Sequence, residues 1–269
     1  MNNQLSEELK SNQDIWGDGY YEGDPLSPLS ESHYKQIGFM SILHATYLRC
    51  IKPYINQNTI ALEIGPGRGA WTKTMLPSKE VWALDARSEK ENRFFEYLGN
   101  PRNVKYFQVE DFKCEMLPEN KFDYMFSFGC LCHVSFAGIT EYAVNLYPKM
   151  KQGSNCFWMV ADYGKYNKLI QNIDRYSIWE ASVPRSRSRE FNPLRSLFNF
   201  LRKSEMRKAE NQHTRTPRTP DKDQKPSPGR WFHAGIENTC VMLEKAGYQI
   251  VDPDVGTIPR DPIIHFRKI

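Results

Sequence analysis

No run of about 18 apolar residues occurs anywhere in the 269-residue chain, so no helical membrane span is expected. The start, MNNQLSEELKSNQD, is polar and carries acids, without the charged start and apolar run expected of a secretory leader. The six cysteines, at 50, 114, 130, 132, 156 and 240, form no small disulfide scaffold. They read as reduced thiols, and the expected address is the cytoplasm. Cys132-His133 has no second ligand pair at zinc spacing, so no metal is expected. Charge of one sign is also scarce. With 36 basic and 32 acidic residues the net charge is only +4, which does not by itself argue for a nucleic-acid partner. No internal repeat is evident.

What is present divides into four zones. Residues 1–57 hold a glycine- and proline-broken aromatic segment, WGDGYYEGDPLSPLS, followed by an expected helix over 33–54. In that helix Ile37, Met40, Leu43, Tyr47 and Ile51 share a face. Residues 58–162 alternate short apolar strands (TIALEI, VWALDA, NVKYFQVED, FDYMFSFG, NCFWMVAD) with helical spacers. That alternation predicts an α/β, doubly wound, mostly parallel sheet with helices on both faces. Residues 163–230 break the rhythm as a long insertion after the fifth strand. Within it, 184–230 carries 13 basic and 5 acidic residues, a net of +8, so the remainder of the chain is 4 − 8 = −4. FNPLRSLFNFLRK reads as a short amphipathic helix and the proline-rich end as a mobile loop. Residues 231–269 supply a helix ending near Gly247 and two closing strands, one expected to be antiparallel, for seven strands in all.

The chemically informative segment is TIALEIGPGRGAW. A strand enters a glycine turn, and a helix is expected from about Ala70. Gly65 permits a tight turn, Gly67 lets the backbone approach a ligand, and Gly69 lets the following segment pack on the strand. Glu63 sits just before the turn. Asp85 ends the second strand, where a carboxylate can accept both hydroxyls of a bound ribose.

These residues resemble the first two motifs of the class I, Rossmann-like, S-adenosylmethionine (SAM)-dependent methyltransferases, in ALEIGPGRGAW and LDARSE. FQVEDF resembles the third motif. FDYMFSFGCLCHV resembles the fourth strand and its loop, and NLYPKMKQGSNCFWMVAD the helix, turn and fifth strand; KQGSN stands where the family often has Pro-Gly-Gly. The resemblance implies SAM as cofactor. It implies Asp85 on the ribose, Asp111 and Phe112 beside the adenine, Ser127 in the cofactor site, and Glu63 facing the methionine amine. It also implies that the pre-core segment, with Trp16, Tyr20 and Tyr21, closes over the cofactor, set against simple packing on the edge of the core. A nicotinamide enzyme would want G-x-G-x-x-G, whereas the glycines fall at 65, 67 and 69; a carboxylate at Glu63 would also repel a phosphate.

For the acceptor, His133 after the fourth strand is the first candidate base, set against a role only in shaping the cofactor pocket. His233 is the second, set against a surface position at a helix start. His265 reads as structural. Cys130 lacks the Pro-Cys or Thr-Cys context of a cytosine-methylating nucleophile. Asp162 and Tyr163 fall where acceptors often bind. The leading expectation is O-methylation of a small polar acceptor such as a sugar. The alternatives are an RNA or protein methyltransferase using 184–230, N-methylation of a small amine, and a non-catalytic SAM-binding scaffold.

Overall fold

The computed structural model describes residues 19–29, 36–37, 40–175 and 231–269. Trp16, His213 and the whole basic segment 184–230 lie outside the described residues. The chain divides into two units, Met1–Asp162 with Thr219–Ile269, and Tyr163–Arg218. The described part of the second is the helix α4 (Tyr163–Arg175).

Seven strands form one sheet: β1 (Ile60–Ile64), β2 (Glu80–Asp85), β3 (Val104–Gln108), β4 (Phe122–Ser127), β5 (Met150–Met159), β6 (Tyr248–Asp252) and β7 (Ile263–Lys268). Their spatial order is β3-β2-β1-β4-β5-β7-β6. All neighbours are parallel except at β7, which runs antiparallel to both β5 and β6. The order reverses between β1 and β4. An open crevice forms at such a switch point, outside the carboxyl ends of the two strands.

Every residue of β1 is buried, as a central parallel strand covered on both faces requires. Leu62 and Ile64 point into one core, with α3 (Phe136–Leu146) and α5 (Ile236–Lys245) above them. Ala61 points into the opposite core with α1 (Ile42–Thr46) and α2 (Phe94–Leu98). Helices therefore cover both faces of the sheet.

Two expected helices are corrected. In the 33–54 stretch, Gln36–Ile37 pairs with Met40–Ser41 as a short antiparallel ladder, and the helix starts only at Ile42. Gly38 lies between the paired segments and disfavours helix. From Tyr47 to Ile51 the helix widens into a π-turn, burying Leu43, Thr46, Cys50 and Ile51 and leaving Met40 exposed. After the glycine turn, the helix expected from Ala70 is a single 3₁₀ turn, Thr72–Met75. Residues 70–79 are all that remain before β2, and Pro77 is among them. The hydroxyls of Thr74 and Ser78 donate to the carbonyls of Trp71 and Met75, both at 2.6 Å, offering the backbone an alternative to a regular helix.

His265 is structural, as its alternation in the last strand suggested. It stacks on Phe157 at 4.2 Å between centroids, and its Nε2 meets Asn155 Oδ1 at 2.9 Å. Burial and the neighbouring Arg267 pull its pKa from 6.5 to about 4. Its folded-state pKa is thus depressed, so the unfolded chain binds the extra proton first. The stability it contributes is fully present above pH 6.5 and is lost as pH falls toward 4. Urea unfolding of wild type and His265→Phe from pH 7.5 to 4 is expected to show the wild-type advantage shrinking across that window.

Candidate functional site

The crevice beyond β1 and β4 is an open cleft. Gly65 and Gly67 line it from the first turn, and Asp85, Ala86 and Arg87 from the end of β2. Gly129, Cys130 and His133 line it from the turn after β4. Tyr20, from the segment before the core, closes the lining.

The two turns approach so closely that side chains are excluded. A Cβ on Gly65 would lie 2.3 Å from Cys130 Cβ, and Gly65 has φ +71°. A Cβ on Gly67 would lie 2.8 Å from the carbonyl oxygen of Tyr20, at φ +52°. Only glycine meets both demands without strain. The Gly65 N–H donates to Leu84 O at 2.8 Å, tying the turn to the end of β2.

Asp85 stands beside this turn. Its Oδ2 accepts from Gly67 N at 3.1 Å and its Oδ1 from Arg87 N at 2.9 Å. Burial raises its pKa, and those two backbone donors oppose the rise. The Asn92 side chain bonds the carboxylate as well, and of about four lone-pair sites on that carboxylate one remains for a ligand hydroxyl.

Glu63 takes a different environment. It is 2% exposed, does not line the cleft, and accepts from Thr72 Oγ1 at 2.5 Å. Burial pushes its pKa up to about 8; the Thr72 bond opposes this and Asp85 adds to it. Asp111 also lies outside the lining. Its Oδ1 accepts from Lys113 N at 2.9 Å and its side chain is 46% exposed. Phe112 is buried edge-on against Tyr142, and Tyr142 itself lines the cleft. Ser127 is buried and donates to Ile64 O at 3.0 Å, clamping β4 to β1. Gly69 packs against Leu98 and Phe94 rather than on the cleft.

The two candidate histidines part company. His133 ends a 3₁₀ turn, Leu131–His133, and lines the cleft. His233 is only 3% exposed, so the surface position considered for it is not what the structure shows. The segment carrying it is pinned by Phe232 N donating to Cys132 O at 3.0 Å and Ala234 N to Ala161 O at 3.1 Å. Asp162 accepts from Ile236 N at 2.8 Å and so caps α5, whose own cap residue, Gly235, has no side chain. Cys130 is held as a thiol, pushed up to about 12 by burial. Among the described residues no group of three or more His, Cys, Asp or Glu forms a metal site. Among them, too, no helix is long and apolar enough to cross a membrane.

A family model described as a methyltransferase domain matches residues 39–207. The chain belongs to that family. Two solved structures share the methyltransferase's fold. One is an S-adenosylmethionine-dependent methyltransferase from Mesorhizobium loti, 14% identical, covering 85% of this chain and 98% of its own, with a TM-score of 0.54. The other, from Listeria monocytogenes and provisionally assigned the same activity, is also 14% identical with the same coverages and a TM-score of 0.51. Comparison with curated proteins gives no match. At this identity the likeness speaks for the fold: a seven-stranded Rossmann-like sheet with one antiparallel strand.

Sequence reasoning did not single out Tyr20 among the lid aromatics, nor Gly129, Cys130 and Tyr142, as cleft-lining residues. Gly129 and Cys130 sit at the end of β4, and that position was the available signal. Glu63 provides a pH test. Its folded-state pKa is raised, so the stability it contributes is complete below pH 4.5 and is lost as pH rises through 8. Wild type compared with Glu63→Gln in urea is expected to lose ground steadily from pH 4.5 to 8.5.

Proposed function

We propose that the cleft holds S-adenosylmethionine and that the enzyme moves its methyl group to a small polar acceptor through an oxygen. The observation that carries the cofactor reading is the pairing of Asp85 with the side-chain-free turn at Gly65 and Gly67. A carboxylate at this position accepts from a nucleoside's ribose, and a turn without Cβ atoms lets the rest of the ligand lie against backbone. Asp111 and Phe112 are assigned to the adenine side. Phe112 acts through Tyr142, which it braces, and Asp111 must turn in from solvent. Ser127 holds the β1–β4 seam beneath the site, and Trp16 belongs to the covering segment. Glu63 supports the turn from behind through Thr72.

Bound SAM supplies a methyl already activated by the positive sulfur. The protein's work is then to orient the acceptor, exclude water and manage one proton. An oxygen acceptor must lose its proton as the methyl arrives. We assign that proton to a ring nitrogen of His133, which lines the cleft, rather than to His233, which lies buried in the segment pinned to Ala161 and Cys132. His233 is assigned a positioning role, packed against Gly235 at the start of α5. The small hydroxylated acceptor rests on the mild overall charge, the long insertion after β5 and the imidazole at the cleft, and its sugar-like character on analogy within the family alone.

Calorimetry with SAM on wild type and Asp85→Ala, with labelled SAM and a metabolite extract added to the same preparation, tests this reading. Loss of a charge-assisted hydrogen bond costs about 1.5–3 kcal/mol, so the variant is expected to bind at least tenfold more weakly. A labelled O-methyl product that disappears in His133→Ala, with SAM binding retained, is the expected second result. A folded wild type that binds no SAM overturns the cofactor assignment.

A further inference from the structure

The segment before the core does not simply pass the cleft; it spans the gap between the cleft's two turns. Gly19 lies against the backbone of Asn92, where a Cβ would come within 2.4 Å of a carbonyl oxygen. The Tyr20 carbonyl accepts from Arg68 N at 3.2 Å and lies over Gly67. The Tyr20 ring lies over Gly129, 3.3 Å from where a Cβ there would stand. Tyr20 thus rests its backbone on the turn after β1 and its ring on the turn after β4. Farther along, Asp24 pairs with Lys73 at 2.8 Å, and Tyr21 meets Tyr97 edge-on at 5.5 Å. Surface contacts of this kind are individually weak, but together they fix where the strap runs.

The Tyr20 hydroxyl donates to the Glu22 carboxylate. Burial and that carboxylate both hold the phenol protonated, far above its ordinary range. Arg260 also reaches Tyr20 electrostatically, yet its charge is engaged by the buried Asp261 at 2.6 Å and lies over the Trp231 ring at 3.9 Å. One wall of the cleft is therefore an aromatic ring anchored to a carboxylate. Both the ring face and the carboxylate attract a cation, and solvent reaching Tyr20, which is 37% exposed, screens part of that pull.

SAM and its product, S-adenosylhomocysteine, differ by one methyl and one positive charge, both at sulfur. A wall of backbone cannot distinguish them strongly; a wall with a negative charge can. We infer that Tyr20 and Glu22 form a charge-reading wall that favours the sulfonium cofactor over its neutral product, so that the spent cofactor is released. This rests on the proposal that the cleft holds SAM.

The test is calorimetry of the full chain with SAM and, separately, with S-adenosylhomocysteine. Glu22→Gln keeps the hydrogen-bond acceptor and removes the charge. Removing that charge acts on a sulfonium and not on a neutral sulfur, so Glu22→Gln is expected to weaken SAM severalfold and the product less than about twofold. Tyr20→Phe keeps the ring on Gly129 but removes the hydroxyl that bonds Glu22, and is expected to lower the SAM-to-product preference in the same direction. An unchanged preference in both Glu22→Gln and Tyr20→Phe, whether the two ligands weaken together or not at all, overturns the inference. Wild type that binds neither ligand would instead overturn the cofactor assignment beneath it.

Discussion

Two backbone turns compete for one small space. The turn leaving β1 and the turn leaving β4 meet where Gly65 faces Cys130, and a single added carbon would close the gap. This contact depends on β1 and β4 being adjacent parallel strands in register, Ile64 beside Ser127, with the Ser127 hydroxyl donating across the seam to Ile64 O. The cleft is the space left when the chain passes outward from β1 toward β3 and returns to β4 on the other side. Everything chemically interesting, from Asp85 to His133, is placed by that reversal.

Burial then sorts the acids. Asp85 and Glu63 lie close enough to influence one another, yet their surroundings give them different work. Asp85 receives two backbone N–H donors and faces the cleft. Glu63 faces into the opposite core and shares one hydroxyl with Thr72. A carboxyl with few donors and no water is held neutral far more easily than one held by backbone amides. The first acts as an outward-facing acceptor and the second as an internal brace. Identical chemistry in the sequence thus becomes two roles in the fold.

The sheet was legible because buried parallel strands read as continuous apolar runs, and IALEI, VWALD and FDYMFS stand out from their polar spacers. Asp85 and the glycine turn were legible for the same reason: their positions at strand ends are fixed by local sequence. The short pieces were less so. Thr72–Met75 carries a helix-like apolar spacing, but hydroxyls bonding back to the chain and a proline five residues after Thr72 decide its form. The inward turn of Glu63 was hidden because a carboxylate before a glycine turn reads as exposed to ligand. Only the period-two alternation of β1, which puts Glu63 on the face of Ala61, predicts otherwise. The burial of His233 depends on backbone bonds to Cys132 and Ala161, about 100 and 70 residues away, and no local pattern announces them. Tyr20 could not be told apart from Trp16 and Tyr21 in the covering segment because all three are aromatic, and only the empty surfaces of Gly67 and Gly129 single it out.

The single 3₁₀ turn after the glycines also has an electrostatic consequence. A long helix starting there would align many peptide dipoles and present a positive pole to the cleft, the arrangement with which nucleotide-binding folds draw phosphate. Four residues of 3₁₀ structure add almost nothing of that kind. The cleft therefore gains little anion attraction from a helix pole. Whatever draws a ligand into this cleft comes from Asp85, the glycine turn and the other side chains of the lining, Arg87 among them.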